Sequence, residues 1–226
     1  MPNTATRRDL VLLSGGLDST TLLALRAAKN TAALALSINY GQRHRRELHA
    51  ATRIADYYGV DHAILDLTSW GRLLTGSALT DPTIDVPHGH YADESMRVTV
   101  VPNRNATLLM AAAGIAQTRG CTHVLTAVHA GDHPIYPDCR PEFIDAANRA
   151  AQLGTDGAVT IEAPFATITK TDIAAWARNL AVPVELTWSC YEGGEIHCGR
   201  CGTCVERIEA LTDAGITDPT PYRTAA

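Results

Sequence analysis

Aromatic residues are scarce, at 5% of 226 residues. A sheet that stacks successive bases needs more of them, so a single-strand-binding platform is excluded. An excess of positive charge is also missing. Nineteen Lys and Arg stand against 24 Asp and Glu, for a formal charge of -5, which argues against holding nucleic acid by bulk electrostatics. No apolar run approaches the roughly 20 residues that a membrane span needs. The short apolar stretch after Arg7 and Arg8 is cut by Ser14-Gly15-Gly16, too soon for a secretory signal. Internal repeats and low-complexity tracts are absent as well. These absences lead to the expectation of a cytoplasmic protein with no membrane and no direct nucleic-acid partner. A hydrophobic fraction of 46% is enough for one core, or one core with a small appendage.

What is present alternates. Strand-like runs at 9–13, 32–38, 63–67, 122–128 and 159–162 interleave with helical stretches at 19–28, 43–58, 105–119, 141–153 and 169–180. The order predicts an α/β fold, a doubly wound parallel sheet of the Rossmann-like kind, with ligands at the carboxyl ends of the strands. Residues 1–185 read as the α/β domain and 186–226 as a small C-terminal zinc-binding segment packed on it. Residues 75–103 break the pattern with Gly76, Pro82, Pro87, Gly89 and Pro102 and little period, which suggests a lid over the ligand.

The loop after the first strand carries chemistry. Leu12, Leu13, Ser14, Gly15, Gly16, Leu17, Asp18, Ser19, Thr20, Thr21 and Leu22 form an expected ATP-binding segment. Two glycines let the backbone approach a ligand, and a helix start offers free N–H groups and a favourable dipole to phosphate. Asp18 fits a partner for magnesium or a cap that holds the loop's shape. The string is neither a Walker loop nor a dinucleotide fingerprint; it resembles the pyrophosphatase (PP) loop of the adenine-nucleotide α-hydrolases, which attack the α-phosphate and release pyrophosphate.

Cys190, Cys198, Cys201 and Cys204 crowd into fifteen positions with C-x7-C-x2-C-x2-C spacing. Four thiolates fill a tetrahedral zinc shell and leave no open position, so one structural zinc per chain is expected. His197 is an alternative ligand beside Cys198. Cys121 reads as a small core residue.

Four segments together resemble one family: Ser14–Thr20, Tyr40-Gly41-Gln42-Arg43-His44, Tyr136-Pro137-Asp138-Cys139-Arg140-Pro141-Glu142-Phe143, and Leu186-Thr187-Trp188-Ser189-Cys190-Tyr191 running into the cysteines. The chain resembles the 7-cyano-7-deazaguanine synthases from about Asp9 to Leu211. One departure is Asn103 in Val101-Pro102-Asn103-Arg104-Asn105, where many relatives carry glycine; asparagine tolerates the left-handed region that glycine would take. The resemblance implies 7-carboxy-7-deazaguanine, ammonia and ATP as substrates, magnesium with the ATP, a homodimer, and adenylated acid and amide intermediates. On this basis Asp18, Ser19, Lys170 and Arg104 are the expected catalytic residues, with Lys170 and Arg104 neutralising phosphate. Gln42, Arg43, His44, Asp132, Tyr136, Asp138, Arg140 and Glu142 are expected at the substrate. Carboxylates there would read the donor edge of the ring, and Arg140 would hold its carboxylate.

Two other readings compete. One is another amidating or thiolating enzyme with the same loop, though a thiolase would need a sulfur-carrying cysteine and only Cys139 is available. The other is a non-catalytic zinc-bearing adaptor, against which the intact Asp18-Ser19 pair argues.

Overall fold

The computed structural model describes residues 6–90 and 94–223. In chain order the elements are β1 (Asp9–Leu12), α1 (Leu17–Ala28), β2 (Ala32–Asn39), α2 (Arg46–Tyr58), β3 (His62–Asp66), the short α3 (Thr68–Gly71), α4 (Arg104–Thr118), β4 (His123–Leu125), α5 (Pro141–Gly154), β5 (Thr160–Glu162), α6 (Lys170–Asn179) and α7 (Gly202–Asp213). The strands form one five-stranded sheet in the order β3-β2-β1-β4-β5, and every pairing is parallel. The chain leaves β1 in one direction through β2 and β3, then returns to its other side through β4 and β5. The crevice at β1 is therefore the switch point where an open α/β sheet binds its ligand.

Alternation along β1 divides the core. Leu10 and Leu12 face α4 and α5, packing with Leu109, Ala112, Ala116, Ile144 and Ala147. Val11 and Leu13 face the opposite layer of α1, α2 and α6, among Leu22, Leu23, Ala51, Ile54 and Ile173. Both faces of a parallel sheet are thus covered, as its near-continuous apolar strands require. A third cluster joins Leu17 and Ala24 of α1, Ala174 and Ala177 of α6, and Ala210 and Leu211 of α7, so α7 packs on the helices that cover one face of the sheet.

Three elements depart from expectation. The second helix starts at Arg46 rather than Arg43, because Gln42 folds the preceding turn on itself. Its side chain accepts from the Tyr40 N–H and donates to the Ile38 carbonyl and to Glu47. The fourth strand stops at Leu125 rather than Val128, as the chain peels away to line a cavity. Helix α7 was not anticipated at all. Cys204, Arg207, Ala210 and Leu211 are its buried side, and an arginine in that stripe reads as a surface charge in the sequence.

None of the described residues of 75–103 lines that cavity. Ala78 and Val86 pack on the four cysteines, and Leu79 and Val101 pack on Tyr40. Arg43 holds the segment by donating to the carbonyls of Ile84 and Pro82, while Gly89 donates to the carbonyl of Arg200. A segment buried this way opens only with its neighbours. Hydrogen exchange is expected to find the amides of Ala78 and Arg43 strongly protected without any ligand; protection that arises only with ATP and substrate would restore the lid.

Candidate active site

The loop after β1 turns on Gly15, whose φ is +85° and where an added Cβ would lie 2.3 Å from the Glu47 carbonyl oxygen. Any other residue would push the loop off α2. Gly16 precedes α1 and no side chain caps that helix, so its first-turn N–H groups are left for a ligand. Ser14 and Ser19 brace the turn: their hydroxyls are 3.0 Å apart, and the Ser14 N–H donates to Ser19 Oγ at 3.2 Å. Thr20 and Thr21 turn the other way, donating to the carbonyls of Gly16 and Leu17, and Leu22 lies in the core.

This loop opens on a cavity whose walls come from six stretches of the chain, the loop's own included. Lys170, at the start of α6, donates to Asp18 Oδ2 at 2.5 Å and lies 3.4 Å from Glu206 Oε2. Thr169 caps α6 through a reciprocal bond pair with Asp172, which fixes where Lys170 emerges. Burial works against the ammonium, but Asp18 and Glu206 outweigh it, and the Lys170 pKa lies above the ordinary lysine value. Burial raises the Glu206 pKa, with Lys170 and His129 opposing. His129 accepts the Gly131 N–H on Nδ1 at 3.1 Å, so its proton sits on Nε2, which is 3.8 Å from both Asp132 and Glu206.

Tyr40, Tyr136 and Tyr191 line the same cavity as Arg104, which donates to Tyr40 Oη at 3.4 Å and to Asn105 Oδ1 at 3.3 Å. Burial pushes the Tyr40 hydroxyl up to about 12, so it stays protonated. Asn103 precedes Arg104 with φ +55°, the left-handed geometry its sequence position asks of it.

The four cysteines are buried, with sulfurs within 4.8 Å of one another, and Cys198 and Cys204 sulfurs are 3.9 Å apart. Zinc–sulfur bonds of about 2.3 Å at tetrahedral angles put sulfurs about 3.8 Å apart, so the residues fit the ion. The N–H groups of Cys198 and Cys201 point at sulfur, toward Cys190 and Cys198. His197 instead accepts the Ser189 N–H at 3.1 Å and packs against Trp188. From this cluster the chain reaches into the cavity. Trp188 donates its backbone N–H to the Gly15 carbonyl, and Ser189, Thr203 and Glu206 line the wall. Arg207, fully buried, secures the segment by donating to Thr187, to the Val184 carbonyl and to Asp218.

A family model described as queuosine biosynthesis protein QueC matches residues 8–215. The chain is 53% identical over 217 residues to a 7-cyano-7-deazaguanine synthase of Rhizobium meliloti (strain 1021), covering 95% of this chain and 92% of that one. A 7-cyano-7-deazaguanine synthase of Brucella anthropi is 51% identical over 220 residues, covering 96% and 94%. This chain belongs to the QueC family. Among solved structures, an NMN synthetase from Francisella tularensis is similar with a TM-score of 0.51 at 15% identity, covering 84% of this chain and 68% of that one, a likeness of fold.

Within this QueC chain the cavity gathers Leu12, Leu13, Ser14, Gly16, Leu17, Asp18, Ser19, Arg104, Lys170, His44, Asp132 and Tyr136 from the expected residues. Others lie elsewhere. Gln42 and Arg43 hold backbone, as described above. Asp138 accepts the Asn105 N–H at 2.8 Å and so caps α4. Arg140 donates to the His133 carbonyl, and Glu142 is exposed on the first turn of α5. Sequence reading missed Tyr40, Glu47, His129, Tyr191, Thr203 and Glu206. Tyr40 and Tyr191 sat inside quoted motifs, which was a usable signal; Glu206 had none, because its helix was unforeseen.

Proposed function

We propose that the chain uses ATP to convert 7-carboxy-7-deazaguanine and ammonia into 7-cyano-7-deazaguanine. The observation that carries this is a single cavity lined both by the phosphate loop with Lys170 and by Arg104 with Tyr40, Tyr136 and Tyr191. Family membership supports the same reading. A carboxylate is a poor electrophile because its oxygen leaves badly. Transfer of AMP from ATP to that oxygen, with loss of pyrophosphate, makes it a good leaving group. Ammonia then attacks, AMP departs, and the amide forms after loss of a proton. A second ATP activates the amide oxygen, and loss of AMP and a proton leaves the nitrile.

The chain's residues divide this work. Ser14, Ser19 and the first-turn N–H groups of α1 cradle phosphate oxygens, and Lys170 stabilises the charge that grows on departing pyrophosphate. Magnesium would shield the triphosphate. Asp18 is placed to hold it, since its Oδ1 is buried without a hydrogen-bond partner. The walls of the cavity shield the adenylate from hydrolysis. Gln42, Arg43, Asp138 and Arg140 serve as framework, Glu142 stays outside the cavity, and His44, Asp132 and Tyr136 remain substrate contacts. Zinc in the four cysteines, magnesium, a homodimer and a cytoplasmic setting belong to this same reading.

Pyrophosphate release is the test. Wild-type protein should release pyrophosphate from ATP only when 7-carboxy-7-deazaguanine or its amide is added, and mass spectrometry should find the nitrile. Release with other carboxylates but not this one would favour a different amidating ligase. No release with any would leave the non-catalytic adaptor.

A further inference from the structure

Two cations line the cavity, and they differ in their company. Lys170 is neutralised by Asp18 and Glu206. Arg104 has no carboxylate within ion-pair distance among the described residues; its contacts are the Tyr40 hydroxyl, the Asn105 side chain and the face of the Tyr40 ring, 5.8 Å from the guanidinium carbon. Asp138 acts on Arg104 only from beyond ion-pair distance. A half-buried cation with no carboxylate in contact is a place for an anion to bind, and a guanidinium fork matches a carboxylate with two parallel hydrogen bonds.

The position of Arg104 selects which anion. The phosphate loop already has a cation in Lys170, held on Asp18 of the loop itself. Arg104 stands instead among Tyr40, Tyr136 and Tyr191, whose rings offer flat apolar area to a fused bicyclic ring. Its backbone is fixed on both sides, by left-handed Asn103 before it and by the Asp138 cap on the Asn105 N–H after it. The other arginine that the sequence offered for the task, Arg140, donates to the His133 carbonyl and does not reach the cavity wall.

We propose that Arg104 seats the carboxylate carried on C7 of the substrate and makes the empty enzyme prefer the acid over the primary amide. This rests on the functional reading given above and adds to it a determinant of specificity. The charge that Arg104 holds exists only in the acid. Once AMP and then ammonia have replaced it, the contact weakens, and the amide oxygen is free to take the orientation needed for its own activation. Arg104 is thereby a substrate-binding residue of the first half-reaction, and phosphate charge is left to Lys170.

Calorimetry on the zinc-loaded protein, without ATP, separates this from the alternatives. Arg104→Gln is expected to weaken binding of 7-carboxy-7-deazaguanine by about 100-fold, the loss typical of a charge-assisted pair, while the amide and ATP each change by less than about threefold. Arg104→Lys, which restores charge without the fork, should recover about tenfold of that loss. Unchanged melting temperature and zinc content establish that the variants are folded. Equal losses for acid and amide would overturn the proposal, as would a loss confined to ATP, which would return Arg104 to the phosphates. Wild-type protein that turns over neither compound would sink the functional reading itself, a result distinct from turnover with unaltered specificity in Arg104→Gln.

Discussion

Lys170→Met is expected to lower turnover by about 10²- to 10³-fold, the loss usual when a preorganised charge at the reacting group is removed. The structure gives the loss two sources. The lysine is the cation nearest the phosphate loop, and it also masks Asp18 and Glu206. Without it two carboxylates face an incoming triphosphate, so ATP affinity should fall along with kcat. Replacing Glu206 by Gln in the same chain removes one of those charges and should recover part of the ATP affinity but little of the rate. Equilibrium binding of a non-hydrolysable ATP analogue, beside single-turnover pyrophosphate release, separates the two. An analogue bound equally well by wild type and Lys170→Met would mean that the lysine does not meet phosphate.

Asp18, Ser19, Lys170 and Arg104, expected together from the loop motif and the family resemblance, do line one cavity. The alternation of apolar runs also foretold the sheet. What could not be read were contacts made at long range. Arg43 looks like a ligand residue, being polar and just past a strand, yet its partners are the carbonyls of Pro82 and Ile84, far along the chain. No local pattern reveals that. Arg207 hid a whole helix in the same way: its buried guanidinium is satisfied by Asp218 and by Thr187, twenty positions back in the chain. Glu206 was lost with it.

Loss of the metal should damage chemistry as well as stability, because a structural ion at the four cysteines also fixes the cavity wall beside it. Cys201→Ser, or a strong chelator, is expected to lower the melting temperature by about 10 °C or more, since a structural zinc site contributes several kcal/mol to folding. Turnover should fall at least tenfold at temperatures where the sheet is still folded, because Ser189, Thr203 and Glu206 are held at the cavity by residues on either side of the cysteines. Metal analysis should find one zinc per wild-type chain, and far-ultraviolet circular dichroism would confirm that the sheet persists. Full turnover in folded, zinc-free protein would show that the segment keeps its place without the ion.

The Trp188 bond to the Gly15 carbonyl joins the third residue of a segment made after all five strands to a loop made before four of them. During synthesis, then, the loop after β1 leaves the ribosome early, while the wall that completes its cavity, Trp188 to Glu206, follows only after the last strand. A nascent chain can therefore pair all five strands before that cavity is closed.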